Sequence, residues 1–229
     1  MNQQEIIEGV ESKYKGLIRL SGICAIISAV LIPISIIAFF IWPLYPKDIF
    51  TVMQNDRIAG LMGLDLLYLV GTFLSIPIFL TFYVTLKQTS ESFSLLAVVL
   101  GFIGLVALFS ARPIVEMVVL SDKYAAATTE IQRAELQSAG TAMMAHFRGT
   151  TFNIHYVLGT TSLLISSLIM TRSKFYSKAT AYTGIVTNVL VFTYYVPTIG
   201  VYLSVISVIG YLVWWLMLGK QWLKVSNGL

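Results

Sequence analysis

Arg112, Pro113 and Glu116 stand at the end of one apolar segment of the chain, and His146, Arg148, Asn153 and His155 stand at the start of the next. Asp65 is the single charge of an earlier apolar run, with Tyr68 and Thr72 following it on the same helical face, and Asn188 lies in a later run. An ionisable side chain in hydrocarbon costs from about 3 to more than 10 kcal/mol, depending on the scale, so such groups are kept where they pair, reach water or bind something. Arginines attract an anionic group, and a carboxylate beside an imidazole can exchange protons with a substrate. Asp65, Arg112, Glu116, Arg148, Asn153, His155 and Asn188 are therefore the candidate ligand-binding set.

No motif narrows this to one reaction. There is no His-Glu-x-x-His pair, no Gly-x-Ser-x-Gly elbow and no phosphate-binding glycine loop. The two histidines, His146 and His155, cannot build a three-histidine zinc site, and at nine positions apart they face different sides of a helix, so a site made of both with Asp65 requires unwinding. No catalytic residue, metal or cofactor is assigned. The one cysteine, Cys24, excludes an intramolecular disulfide and sits in an apolar run as a small buried side chain.

The elements that must position these residues are membrane spans. Of 229 residues 57% are hydrophobic and 11% charged, with mean hydropathy +0.81, whereas a soluble domain has about a quarter of its residues charged. Uncharged runs of about 20 residues account for the difference. The net charge of +4 does not indicate nucleic acid, because the basic residues cluster at segment ends, where they orient spans in a bilayer.

The pattern predicts an all-α integral membrane bundle with six transmembrane helices, at about 17–41, 58–86, 93–120, 147–170, 179–195 and 198–219. Ile6, Val10, Tyr14 and Leu17 recur at helical spacing and predict an N-terminal helix on the membrane surface. The first span, uncharged from Leu20 to Tyr45 and without a small-residue cleavage site at its end, is expected to stay as an anchor. Pro33 and Pro77 predict kinks. Residues 43–57, with Pro43, Pro46, Lys47, Asp48, Asp56 and Arg57, read as a polar loop.

Pro113 disfavours helical geometry at Arg112, so the third span should kink or restart there, with Glu116 four residues on and able to pair with Arg112. Thr129 and Gln132 have capping-box spacing and predict an external helix between spans three and four. In the fourth span Arg148, His155, Gly159, Ser162 and Ser166 form one stripe whose small residues admit a close helix neighbour. The uncharged run from Ala179 to Gly219 is too long for one span and must turn at Pro197 and Gly200.

Lysine and arginine positions orient the chain. Lys13, Lys15, Arg19, Lys87, Arg172, Lys174, Lys178, Lys220 and Lys224 fall on the side of the N-terminus, against Lys47, Arg57, Lys123 and Arg133 on the other, which predicts a cell-membrane protein with both termini cytoplasmic. Asp65 would then lie about 10 Å and His155 about 12 Å below the outer boundary, with Arg112 and Arg148 at the rim of an outward-facing funnel and Asn188 near its floor. Three functional classes fit. The first is a receptor, sensor or carrier of a small molecule or lipid headgroup, with membrane lipids as its other partners. The second is an intramembrane enzyme using Asp65 and His155. The third is a structural assembly partner whose charges pair internally.

The segments SDKYAAATTEIQRAELQSAG (121–140) and FNIHYVLGTTSLLISSLIM (152–170) and the RLSG entrance at 19–22 resemble a bacterial family of small multi-spanning membrane proteins catalogued as a domain of unknown function. The resemblance implies a prokaryotic cytoplasmic membrane and a six-helix unit, and carries no functional residue with it.

Overall fold

A computed structural model describes the backbone of residues 3–228 and the side chains of residues 13–228, all helix, turn and loop with no strand among them. In chain order the helices are α1 (Gln3–Ile41), α2 (Ile49–Asn55), α3 (Arg57–Gly63), α4 (Leu66–Leu86), α5 (Glu91–Ala111), α6 (Ile114–Ala126), α7 (Glu130–Ala145), α8 (Thr150–Met170), α9 (Lys178–Phe192) and α10 (Gly200–Ser226). Short 3-10 turns at His146–Arg148 and Thr193–Tyr195 precede α8 and follow α9.

α4, α5 and α8 each hold 21 residues, a length of about 31 Å that matches a hydrocarbon core of about 30 Å. Among the described residues five stretches are long and apolar enough to cross a membrane: Lys13–Ile41, Leu66–Leu86, Glu91–Ala126, Glu130–Met170 and Gly200–Ser226. The expected all-α, membrane-type bundle is thus what the chain forms. α9, the predicted fifth span, is shorter at 15 residues, about 22 Å, and is extended only by the 3-10 turn after it.

Six of the helices close a ring in which α1 packs on α4, α4 on α5, α5 on α8, α8 on α9, α9 on α10 and α10 back on α1. Small residues set the closest approaches. A Cβ on Gly104 of α5 would meet the Gly159 backbone nitrogen at 3.0 Å, which is the close neighbour that the small-residue stripe of the fourth span predicts. The ring is filled by Phe82, Trp214, Trp222, Leu218, Ile78 and Met170, all buried, with Phe82 stacked on Trp214 at 5.9 Å and edge-on to Trp222 at 5.4 Å. Between Phe192 and α10 the chain reverses at Thr198, whose φ is +71°. At Gly200 a Cβ would stand 1.9 Å from the Thr193 carbonyl oxygen, so the turn admits only glycine there.

Beyond one end of the ring, α2, α3, α6 and α7 form a crown with its own apolar core of Ile49, Phe50, Met53, Leu64, Ile114, Met117 and Phe147. Residues 43–57 are therefore only in part the predicted polar loop: 43–48 are irregular, while Ile49–Asn55 form α2. Their acids are helix caps: Asp48 accepts from the Thr51 nitrogen and Asp56 from those of Ile58 and Ala59, so the polarity lies at the helix ends while Ile49, Phe50 and Met53 turn inward. The external helix is present as α7, with the Thr129 hydroxyl accepting from the Gln132 nitrogen at 3.2 Å.

Two predicted spans are shorter than expected, because each breaks where the ring meets the crown. The second is interrupted at Asp65, between α3 and α4, and the third at Arg112 and Pro113, between α5 and α6, the restart that Pro113 predicts. Pro33 and Pro77 do not interrupt α1 and α4, since neighbouring helices hold a proline-containing helix in place. α1 leaves helical geometry at Tyr14 (φ −118°, ψ 17°), setting residues 3–13 apart from the span. The Ile6 and Val10 stripe of the predicted surface helix lies outside the described side chains.

Candidate functional site

Asp65 adopts a left-handed backbone (φ 66°, ψ 35°) and ends one helix while starting the next. Aspartate tolerates this region better than most residues. Its carbonyl accepts from the nitrogens of Tyr68 and Leu69 at 3.1 and 3.2 Å, starting α4. This conformation aims the carboxylate at the other break. Arg112 donates to Asp65 Oδ2 through Nη2 at 2.9 Å and Nε at 3.2 Å, and the two side chains are only 1% and 7% exposed. Arg112 Nη1 donates to the Phe147 carbonyl at 3.1 Å. The guanidinium is covered by the rings of Phe147, Phe152 and Tyr68 at 4.9, 5.2 and 5.9 Å, so a charge removed from water gains a counter-ion, a carbonyl and aromatic faces.

His155 belongs to the next layer. Its Nδ1 lies 2.9 Å from the Gly104 carbonyl oxygen and its Nε2 2.8 Å from the Tyr68 hydroxyl. A carbonyl can only accept, so Nδ1 carries the proton, and in the neutral ring Nε2 accepts from Tyr68. The side chain ties α8 to α5 and α4 together. Asp65 and His155 do not hydrogen-bond each other, because Arg112 occupies the carboxylate and Tyr68 the imidazole.

The other predicted residues separate from this pair. Glu116 is exposed and does not meet Arg112: the backbone break at Pro113 turns α6 so that the local partner faces away, and the distant Asp65 takes its place. Arg148 is not on the α8 stripe either. It lies on the 3-10 turn ahead of Gly149, with its guanidinium carbon 5.1 Å from the Tyr45 ring centroid. Asn153 donates to the carbonyls of Arg148 and Gly149 and accepts from the Tyr195 hydroxyl at 2.8 Å. Asn188, fully buried, donates to the Gly184 carbonyl and accepts from the Tyr211 hydroxyl at 2.8 Å, joining α9 to α10. Both asparagines are interhelical connectors, not parts of one funnel.

Open space is found in the crown. A cleft of about 570 Å³ is lined from one side by residues 44–50 and from the other by Gln137, Gly140, Thr141, Met144, Ala145, Phe147 and Arg148. Of the predicted set only Arg148 lines it. Tyr45 and Phe147, both in its lining, pack edge to face at 5.1 Å, and burial pushes the Tyr45 phenol above its ordinary pKa, so that it presents Arg148 with a neutral ring. Gly140 lets α7 close on α2, since a Cβ there would meet the Phe50 ring at 2.5 Å. The sequence signal for this cleft was the run Tyr45-Pro46-Lys47 followed by two capping acids, which composition alone presents as a loop. The chain matches no family model, no curated protein and no solved structure.

Proposed function

We propose that this chain is a multi-pass membrane protein that binds a small anionic molecule or a lipid headgroup in the crown cleft, as a receptor, sensor or carrier, with the crown outside the cell and both termini in the cytoplasm. The observation that carries the reading is the cleft itself, with Lys47 and Arg148 on its walls and no carboxylate in an ion pair with either among the described residues. A purely structural role would pair every charge internally. Asp65 and Arg112 do so and frame the site instead of contacting a ligand. An intramembrane enzyme built on Asp65 and His155 finds no support in a geometry where each group is engaged elsewhere.

The test is thermal unfolding of the detergent-solubilised protein with dihexanoyl phosphatidylglycerol or dihexanoyl phosphatidylcholine added. The anionic amphiphile should raise the midpoint and the zwitterionic one should not, and Arg148→Gln should remove the difference. A rise that is equal for both amphiphiles, or that survives Arg148→Gln, refutes the reading.

A further inference from the structure

We propose that the anion reaches the cleft on a membrane lipid: the ligand is the phosphodiester headgroup of an anionic phospholipid whose acyl chains lie along the last turns of α1. This rests on the crown cleft being the binding site and adds the source and the chemistry of what fills it.

The first argument is level. The crown ends of α4, α5 and α8 are Leu66, Ala111 and Thr150, one hydrocarbon thickness from their other ends. Arg148 stands two residues before Thr150. Tyr45 donates its backbone N–H to the Gly63 carbonyl at 3.1 Å, close to the start of α4. Arg148 and Tyr45, both in the cleft lining, therefore lie within about one helical turn, roughly 5 Å, of the hydrocarbon edge, which is the layer that lipid phosphates occupy.

The second argument is charge. Lys47 and Arg148 line the cleft with a single carboxylate, Asp48, and that carboxylate is occupied by the Thr51 nitrogen at 3.2 Å and the Thr51 hydroxyl at 2.7 Å. The remaining donors suit a phosphate. The third argument is the apolar face that runs up to the cleft. Phe40 is 86% exposed and Ile37 and Ile41 are 60% exposed, and Leu44, three residues on, is in the cleft wall. A water-borne anion would use the cations alone, whereas a phospholipid uses the cations and this face together.

The experiment uses the full chain in lipid nanodiscs of phosphatidylcholine doped with phosphatidylglycerol, read by native mass spectrometry of lipids retained on release. Soluble glycerol 3-phosphate serves as competitor, and Arg148→Gln and Phe40→Gln as variants at exposed positions. Retained lipid should be enriched in phosphatidylglycerol by about tenfold or more, as expected for a charge-assisted contact. Each variant should reduce that enrichment, and millimolar glycerol 3-phosphate should leave it unchanged. If glycerol 3-phosphate displaces the lipid completely and Phe40→Gln has no effect, the anion comes from water: the lipid proposal is overturned while anion binding in the cleft stands. If enrichment is indifferent to Arg148→Gln, both are overturned; if it is absent, the lipid proposal is overturned, and anion binding in the cleft stands only if glycerol 3-phosphate raises the unfolding midpoint of the parent and not that of Arg148→Gln.

Discussion

Replacing Asp65 by asparagine isolates the charge of the buried pair. Asparagine has nearly the same shape and accepts the left-handed backbone that Asp65 adopts at φ 66°, so neither a cavity nor backbone strain is introduced. What changes is that Arg112, 4% exposed, loses its counter-ion while it remains enclosed by three rings and the Phe147 carbonyl. Breaking a buried pair on one side costs about 3–5 kcal/mol, while replacing both partners by groups of similar volume is often close to neutral. Asp65→Asn should therefore lower stability by about 3–5 kcal/mol, a midpoint shift of roughly 6–20 °C at about 2–4 °C per kcal/mol for a chain of this size. The double variant Asp65→Asn/Arg112→Met should recover most of that loss. It should stay about 1 kcal/mol below the parent, because the Phe147 carbonyl loses its donor. Thermal unfolding of the four proteins of this cycle in one detergent measures the coupling. A loss below about 1 kcal/mol for Asp65→Asn, or a double variant no better than the single one, would refute the assignment of the pair as the clasp between ring and crown.

Three further outcomes follow from the geometry. Gly104→Ala pushes a methyl against the Gly159 backbone at 3.0 Å, whereas a Cβ on Gly159 meets nothing closer than the His155 ring at 3.8 Å; the first should cost about 1–3 kcal/mol and the second far less, by denaturation midpoint. The Arg57–Asp122 bridge has good geometry at 2.9 Å, but its side chains are 55% and 59% exposed, so a double-mutant cycle there should return less than about 1 kcal/mol and fall with added salt. With Cys24→Ser as background, Thr141→Cys on the cleft wall should react with a membrane-impermeant maleimide on intact cells, and labelling only after lysis would reverse the proposed orientation.

Much of this architecture can be read from the residues that act locally. Pro113 forbids a smooth helix at Arg112, Thr129 and Gln132 cap α7, and the small residues around Gly159 mark a close helix contact, each through its own stereochemistry within a few positions. The misreadings arise where a distant partner decides. Asp65 carries no breaker of its own, and its left-handed turn is held by an arginine 47 residues later, so the sequence alone presents the second span as continuous. Arg112 has a carboxylate at helical spacing in Glu116, yet the break at Pro113 removes that option. Asp48 and Asp56 look like loop polarity until the apolar residues between them are seen to face Phe147 and Met117. Arg148 fits the periodicity of α8 only if the helix begins before Gly149, and the 3-10 turn there swings it out over Tyr45 and into the cleft.

The clasp between Asp65 and Arg112 also sets a clock during synthesis. At about 5–20 residues per second the ribosome makes the arginine roughly 2–9 s after the aspartate, given the 47 positions between them. Through that interval the nascent α3 and α4 carry a carboxylate with no counter-ion. At the end of a 21-residue helix the carboxylate can wait in the hydrated headgroup layer, where its charge is tolerated. The crown core, whose members run from Ile49 to Phe147, is fully synthesised before α10 (Gly200–Ser226), whose packing on α1 closes the ring, so the crown can assemble before the ring closes.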